Sequence, residues 1–166
     1  MPEIAEPFLV FRRPNGGRVK VTASVLKLIL SYAQHSRTAT EAGGVLLGHY
    51  IQNSDDVVVD AVTEPMPGDR RTRCSFYRAK ARHQAAMEAA WQASGGTCTY
   101  LGEWHTHPEA DPTPSSTDTK GWRCRLREDQ YEDELFFLIV GTTTVRMWSS
   151  KDKLTRESVI SELSNS

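Results

Sequence analysis

The 166-residue sequence has no run of eighteen apolar residues, so no membrane-spanning helix is expected. Cysteine is scarce. Cys74, Cys98 and Cys124 are odd in number, widely spaced and free of any C-x-x-C pair. That argues against a disulfide framework and for a reducing cytoplasm, with each cysteine read as a buried or idle thiol. Their spacing gives no support for a role as extra metal ligands. Neither charge sign is in excess: the formal net charge is −1, so neither nucleic acid nor an anionic membrane is expected as a partner. The opening "MPEIAEPFLVFRR" is acidic first and only briefly apolar, unlike a signal peptide. No internal repeat, low-complexity tract or composition shift divides the chain. Residues 1–166 are therefore read as a single domain, long enough to bury a core.

What is present is patterned. "FLVFRR" and "RVKVTA" flank "PNGG", which predicts a β-hairpin. Val25, Leu28, Ile29, Tyr32 and Ala33 fall on one face of a helix over residues 24–37, with Thr22 or Ser24 as its cap. "EAGGVLLGHYI" from Glu41 suits a buried strand, and "VVVDAVTEP" a second one after the "NSDD" turn. A proline- and glycine-containing loop leads to the short run "CSFYR". An alanine-rich helix is expected over 79–94, with Met87, Ala90 and Trp91 as core contacts and Gly95-Gly96 as its stop. "CTYLGEWHTH" reads as a strand ended by Pro108, Ser115 onward as a helix toward Arg127, and "ELFFLIVG" and "TTVRMWSS" as further strands. The last dozen residues are polar and read as a short strand, a short helix or a frayed end. The order β-β-α-β-β-α-β-α-β-β predicts a mixed α/β domain, helices packed on a curved sheet. One basic cluster, Gly68 to Arg73, is either a solvated loop or a surface for an acidic or C-terminal partner.

The densest chemistry lies in "GEWHTHPEADPTPSSTD", Gly102 to Asp118. Alternate strand residues share a face, so His105 and His107 project together and Thr106 points away. Two imidazoles on one side form a natural ligand pair for Zn²⁺. The stretch to Pro114 is stiff and long enough to return Asp118 as a third, carboxylate ligand. Three protein ligands leave a fourth position for water, the pattern of a catalytic zinc site. Ser115-x-x-Asp118 also reads as a relative of the capping box at a helix start, and the two readings are compatible. Hydrolysis further needs a group to take a proton from water and give one to the leaving amine. Glu41 is one candidate, since a charged residue at the head of an apolar strand is costly without a task, and Gly43-Gly44 beside it lets another backbone approach. Glu103 is its rival, two residues before His105 on the same face; it is alternatively a supporting partner of the ligands.

These residues resemble the JAMM motif of the MPN-domain metalloproteases: H-T-H, seven residues, Ser, two residues, Asp, carried by His105, His107, Ser115 and Asp118. "EAGGVLLG" matches the family's upstream glutamate strand, which selects Glu41 over Glu103. The resemblance implies a cytidine-deaminase-like α/β fold with Zn²⁺ held by His105, His107 and Asp118. It implies Glu41 as the residue that activates water and protonates the leaving amine, and Ser115 as a stabiliser of the oxyanion. Substrates in that family are typically proteins joined through the C-terminal tail of ubiquitin or a ubiquitin-like protein, commonly to a lysine. About sixteen residues separate Asp118 from "LFFLIVG", which leaves no room for the large second insertion of some eukaryotic members. The chain is most similar to the small deconjugases of bacterial anti-phage, CBASS-type operons. Those operons also encode a ubiquitin-activating and transferring enzyme, and the protein released is a cGAS-like nucleotidyltransferase. The alternatives are a peptidase that processes sulfur-carrier ubiquitin-like proteins and a non-catalytic MPN scaffold.

Overall fold

The structure, a computed structural model, describes residues 6–128, 134–150 and 159–160. A mixed sheet organises them. The hairpin of β1 (Leu9–Arg12) and β2 (Arg18–Val21) forms one edge, and Gly16 supplies the positive φ (88°) that its turn needs. Helix α1 (Ala23–Leu30) leads to β3 (Gly43–Tyr50) and β4 (Val57–Val62), an antiparallel pair. A small two-stranded sheet follows, β5 (Arg70–Thr72) with β6 (Ser75–Tyr77). Then come α2 (Lys80–Ala93), β7 (Thr99–Thr106), α3 (Ser116–Glu128), β8 (Leu135–Val140), β9 (Val145–Ser150) and β10 (Val159–Ile160). The main sheet runs β1-β2-β4-β3-β7-β8-β9-β10 and is curved. Two of its neighbour pairs, β2–β4 and β7–β8, are parallel. The second of these is joined through α3, as a parallel crossover requires.

Both faces of the sheet are covered, and the sequence shows why. All six residues of β8, Leu-Phe-Phe-Leu-Ile-Val, are buried, a continuous run that fits only a strand packed on both sides. On one face Phe11, Val21, Leu46, Trp104, Phe136 and Leu138 pack with Val25, Leu26 and Ile29 of α1. On the other, Val45, Leu47, Tyr100, Phe137 and Ile139 pack with Trp122 of α3 and with Met87 and Ala90 of α2. Trp122 stacks on Phe137, ring centroids 4.7 Å apart, which fixes α3 over β8.

Several expectations need correction. Helix α1 ends at Leu30 rather than at Arg37. Beyond it Tyr32 and Ala33 still pack on the core, but the chain leaves the helix and Gln34 becomes buried (3% exposed), its amide donating to the carbonyls of Ala39 and Arg73. Buried polar groups require such partners, and they outweigh helix periodicity here. Thr22 occupies the α1 N-cap position without a side-chain capping bond. Trp91 is 55% exposed rather than a core contact; it lies against Gly96, beyond the end of its own helix. Gly95 and Gly96 do stop α2, both at positive φ. The basic cluster is solvent-exposed as expected but is not a loop: Arg71 Nε donates to the Glu41 carbonyl at 2.7 Å, and Arg73 Nη1 donates to those of Ser36 and Arg37. It forms β5 and clamps the segment leading into β3. Of the expected C-terminal readings, a two-residue strand is seen; the rest lies outside the described residues.

Candidate metal centre

The strand β7 delivers its histidines as its alternation dictates. His105 and His107 are both buried and their Nε2 atoms are 3.1 Å apart. Thr106 between them faces the opposite core, where its hydroxyl donates to Gln34 Oε1 (2.8 Å) and accepts from the Ala42 N–H (3.0 Å). That pair of bonds ties the end of β7 to the residue after Glu41. Beyond Pro108 the loop is pinned to the β8–β9 turn: Thr142 N donates to the Glu109 carbonyl, and Thr143 N and Thr144 N donate to that of Ala110. The proline-rich stretch thus returns toward the histidines and starts α3 beside them.

At that helix start Ser115 and Asp118 play both parts that their spacing allows. Ser115 Oγ accepts the Asp118 N–H (3.1 Å), while Asp118 Oδ2 accepts the Ser115 N–H (2.8 Å), a reciprocal cap. The same Asp118 carboxylate faces the histidines, with Oδ2 2.9 Å from His107 Nε2 and Oδ1 3.3 Å from His105 Nε2. Because Ser115 Oγ uses a lone pair for the cap, its O–H proton is left for another acceptor.

Glu41 reaches the centre from a different segment. It sits two residues ahead of β3, its N–H donating to the Thr72 carbonyl at 2.7 Å, and its carboxylate is 3% exposed. Its Oε1 lies 3.8 Å from His107 Nε2. Gly43 follows because a Cβ there would lie 2.6 Å from the Trp104 carbonyl; Gly44 faces Thr63 more tightly still. The two glycines therefore let β3 close on its neighbours beside the carboxylate. Glu103, the rival, is on the predicted face but turns away into ion pairs with Arg78 (2.8 Å) and Arg125 (3.0 Å). A cleft of about 150 Å³ opens there, lined in part by Phe76, Glu103, His105, Asp118 and Trp122.

The electrostatics follow from burial and crowding. Burial pushes the Glu41 carboxyl up to about 7; positive charge on His105 and His107 opposes the shift, and the charge of Asp118 adds to it. Burial would also raise Asp118, but bonds to His105 and His107 outweigh it and hold that carboxyl well below its usual range. Burial would lower His107, yet its bond to Asp118 raises it overall. One imidazole nitrogen presents a single in-plane lobe. His107 Nε2 nonetheless has His105 Nε2, Asp118 Oδ2 and Glu41 Oε1 all within 3.8 Å. One lobe cannot serve both His105 Nε2 and Asp118 Oδ2, and Glu41 Oε1 stands just beyond hydrogen-bond reach, whereas one cation among them would satisfy all three. Tetrahedral ligands about 2.0–2.3 Å from zinc would lie roughly 3.3–3.8 Å from one another. The observed spacings, 3.1 Å between the two imidazole nitrogens and 2.9 and 3.3 Å from them to Asp118 Oδ2 and Oδ1, are only slightly tighter. Glu41, His105 and His107 also offer ligand atoms that all lie within 4.8 Å of one another.

The sequence reading missed Glu109. Its carboxylate lies 3.0 Å from His107 Nδ1. A carboxylate on that nitrogen holds the N–H there and leaves Nε2 as the lone-pair nitrogen, as metal-binding histidines require. Its spacing, two residues after His107, was the available signal. Gln34, which orients Thr106, had none, because its role depends on where a distant loop ends.

A family model described as prokaryotic homologs of the JAB domain matches residues 22–151. The chain is 39% identical over 133 residues to a "CD-NTase/cGAS isopeptidase" of Vibrio cholerae serotype O1, covering 80% of this chain and 82% of that one. A protein of the same name from Escherichia coli is 38% identical over 143 residues, covering 86% and 87%. A probable metalloprotease of Sinorhizobium fredii is 33% identical over 94 residues, 54% of this chain and 55% of that one. Among solved structures, the solution structure of protein DSY2949 from Desulfitobacterium hafniense is similar, with a TM-score of 0.57 at 18% identity over 87% of this chain and 89% of that one; it bears on the fold alone. No helix among the described residues is long and apolar enough to cross a membrane. The chain belongs to the prokaryotic JAB family of JAMM-type hydrolases.

Proposed function

We propose that the chain, acting as one domain, is a zinc-dependent isopeptidase that releases a protein conjugated through its C-terminus. The observation that carries this reading is the convergence of His105, His107 and Asp118 within 3.3 Å of one another, with the buried Glu41 carboxylate 3.8 Å from His107. His105, His107 and Asp118 would hold the metal. When bound, it supplies Lewis-acid charge that polarises a carbonyl and makes a water acidic near neutral pH. Glu41, with its pKa held up by burial, takes a proton from the attacking water as the new C–O bond forms at the amide carbon. It then delivers that proton to the lysine nitrogen as the C–N bond breaks. The Ser115 O–H, free of its capping bond, donates to the carbonyl oxygen as charge builds there. Glu109 keeps the His107 proton on Nδ1 throughout.

The substrate reading rests on the relatives named as CD-NTase/cGAS isopeptidases. It assigns the released protein as a cGAS-like nucleotidyltransferase. Their identity of 38–40% over most of the chain favours this over a sulfur-carrier peptidase. The retention of Glu41 with all three ligands argues against a scaffold. The test incubates zinc-loaded protein with a nucleotidyltransferase joined by its C-terminus to a lysine, and with ubiquitin-like and sulfur-carrier conjugates, and locates each cut by mass spectrometry. Cleavage at the nucleotidyltransferase C-terminus is expected. Cleavage confined to the sulfur-carrier conjugate would overturn the substrate, and no cleavage of any would overturn the activity.

A further inference from the structure

Away from this centre, the fold assembles three residues that no sequence spacing connects. His49 lies near the end of β3, Asp60 within β4, and Cys98 one residue ahead of β7. In the sheet β3 runs between β4 and β7. Gly48 pairs with Thr99, so one further step of the antiparallel register sets Cys98 opposite His49. On the other flank the register slips between Leu47 and Gly48, their partners being Ala61 and Val59, and Asp60 is the extra residue of that bulge. Bulges re-aim side chains, and here Asp60 Oδ2 comes to 3.0 Å from His49 Nε2. A ligand atom from each of His49, Asp60 and Cys98 lies within 4.8 Å of the other two.

The donors are a thiol, an imidazole and a carboxylate. An ion pair between His49 and Asp60 would account for two of them but not for the third. Cys98 is buried, and burial together with the negative charge of Asp60 holds its thiol above the ordinary value. The thiol keeps its proton there in the absence of a cation, and a cation shared with His49 and Asp60 would displace that proton and hold the thiolate as a ligand. His49 and Asp60 remain about one-third exposed, so the cluster is open on one side. Sulfur with nitrogen and oxygen excludes a preference for magnesium or calcium and suits zinc.

The geometry points to a second divalent-metal site, formed by His49, Asp60 and Cys98, that takes zinc or a metal of similar softness and ties β4, β3 and β7 together at the end of β3 opposite Glu41. Three protein ligands close it on the sheet side, and water completes it on the open side.

Cobalt tests this directly, because thiolate-to-cobalt absorption in the near ultraviolet requires a cysteine ligand, and the His105–His107–Asp118 centre has none. The full-length protein would be titrated with Co²⁺ and, separately, with Zn²⁺ under native mass spectrometry. Two metals per chain and a thiolate band are expected. Cys98→Ser should reduce the count to one and abolish the band. His49→Gln, at a partly exposed position and with far-ultraviolet circular dichroism unchanged, should do the same. Cys74→Ser combined with Cys124→Ser should keep both signals. A single metal at saturating zinc, or a band that survives Cys98→Ser and His49→Gln, overturns the site. So does a band lost only in the Cys74/Cys124 variant.

Discussion

Two buried histidine–carboxylate groups in this molecule obey opposite rules. Around His83, every lobe has one partner. Nε2 faces the Asp69 carboxylate at 2.9 Å, and Nδ1 faces Thr63 Oγ1 at 2.7 Å. Thr63 Oγ1 in turn accepts the Val45 N–H, and Asp69 accepts the N–H groups of Ala79 and Met66. With Asp69 ionised, a single proton arrangement satisfies all of them: Nε2–H donates to Asp69 and the Thr63 hydroxyl donates to Nδ1. Around His107 no arrangement does, since His105 and Asp118 compete for one nitrogen while the Glu41 carboxylate crowds in at 3.8 Å. Histidine and carboxylate are common to both. What separates structure from function here is whether the protons can be fully assigned, because a closed network stabilises a fold while an overcrowded one calls for an ion.

The sharpest way to break the comparison is Glu41→Gln. It preserves shape and removes the proposed proton carrier from the crowded group. Cleavage should fall about 10³-fold, with metal content and melting temperature close to the parent. Measured turnover within tenfold of the parent would remove Glu41 from the proposed role. Ser115→Gly comes next. Glycine at an N-cap costs only a few tenths of a kcal/mol, so stability should barely change. Loss of the hydroxyl donor should still lower kcat by about 10²-fold. A variant with unchanged kcat would leave Ser115 as a cap alone.

His83→Ala attacks the closed group instead. It strands Asp69 and Thr63 in the interior, at a cost of about 3 kcal/mol in stability. Zinc stoichiometry and the cleavage rate per folded molecule should stay near the parent at low temperature. If turnover collapsed while denaturant titration showed little lost stability, the division between the two groups would be wrong.

How much of this was legible beforehand depends on how local each signal was. His105 and His107 follow from strand alternation, and Asp118 and Ser115 from the start of the helix that they cap, so those four positions were readable within one stretch. Glu41 was not readable from that stretch, because only the β3–β7 pairing of Gly43 with His105 brings it there. Strand β5 was missed for a similar reason: Arg71 and Arg73 look like a solvated cluster until their partners, carbonyls some thirty residues away, are known. Trp91 misled because its helix pattern predicts burial, but the glycine stop gives the ring a different neighbour. The bulge at Asp60 left no mark at all, since register slips depend on pairing rather than composition.

The smallest effect separates the two groups by acid. For Asp69, burial would raise the carboxyl, but the amide bonds from Ala79 and Met66 and the bond to His83 outweigh it, so its folded value lies below the unfolded one. The sign follows. The stabilisation is fully present above the unfolded carboxylate value, about 3.9, and is lost as pH falls through the lower folded value. Protonation of this one group contributes at most about 1.4 kcal/mol per pH unit to the slope of stability against pH. Urea denaturation of Asp118→Asn, which removes the strongly depressed carboxylate of the crowded centre, should retain an acid limb below pH 4. Adding Asp69→Asn should flatten it, at some cost in stability at neutral pH because Asn donates where the carboxylate accepted. Parallel acid limbs in the two variants would show that Asp69 is not the group that the closed network holds ionised. Its difference from the crowded centre would then rest on geometry alone.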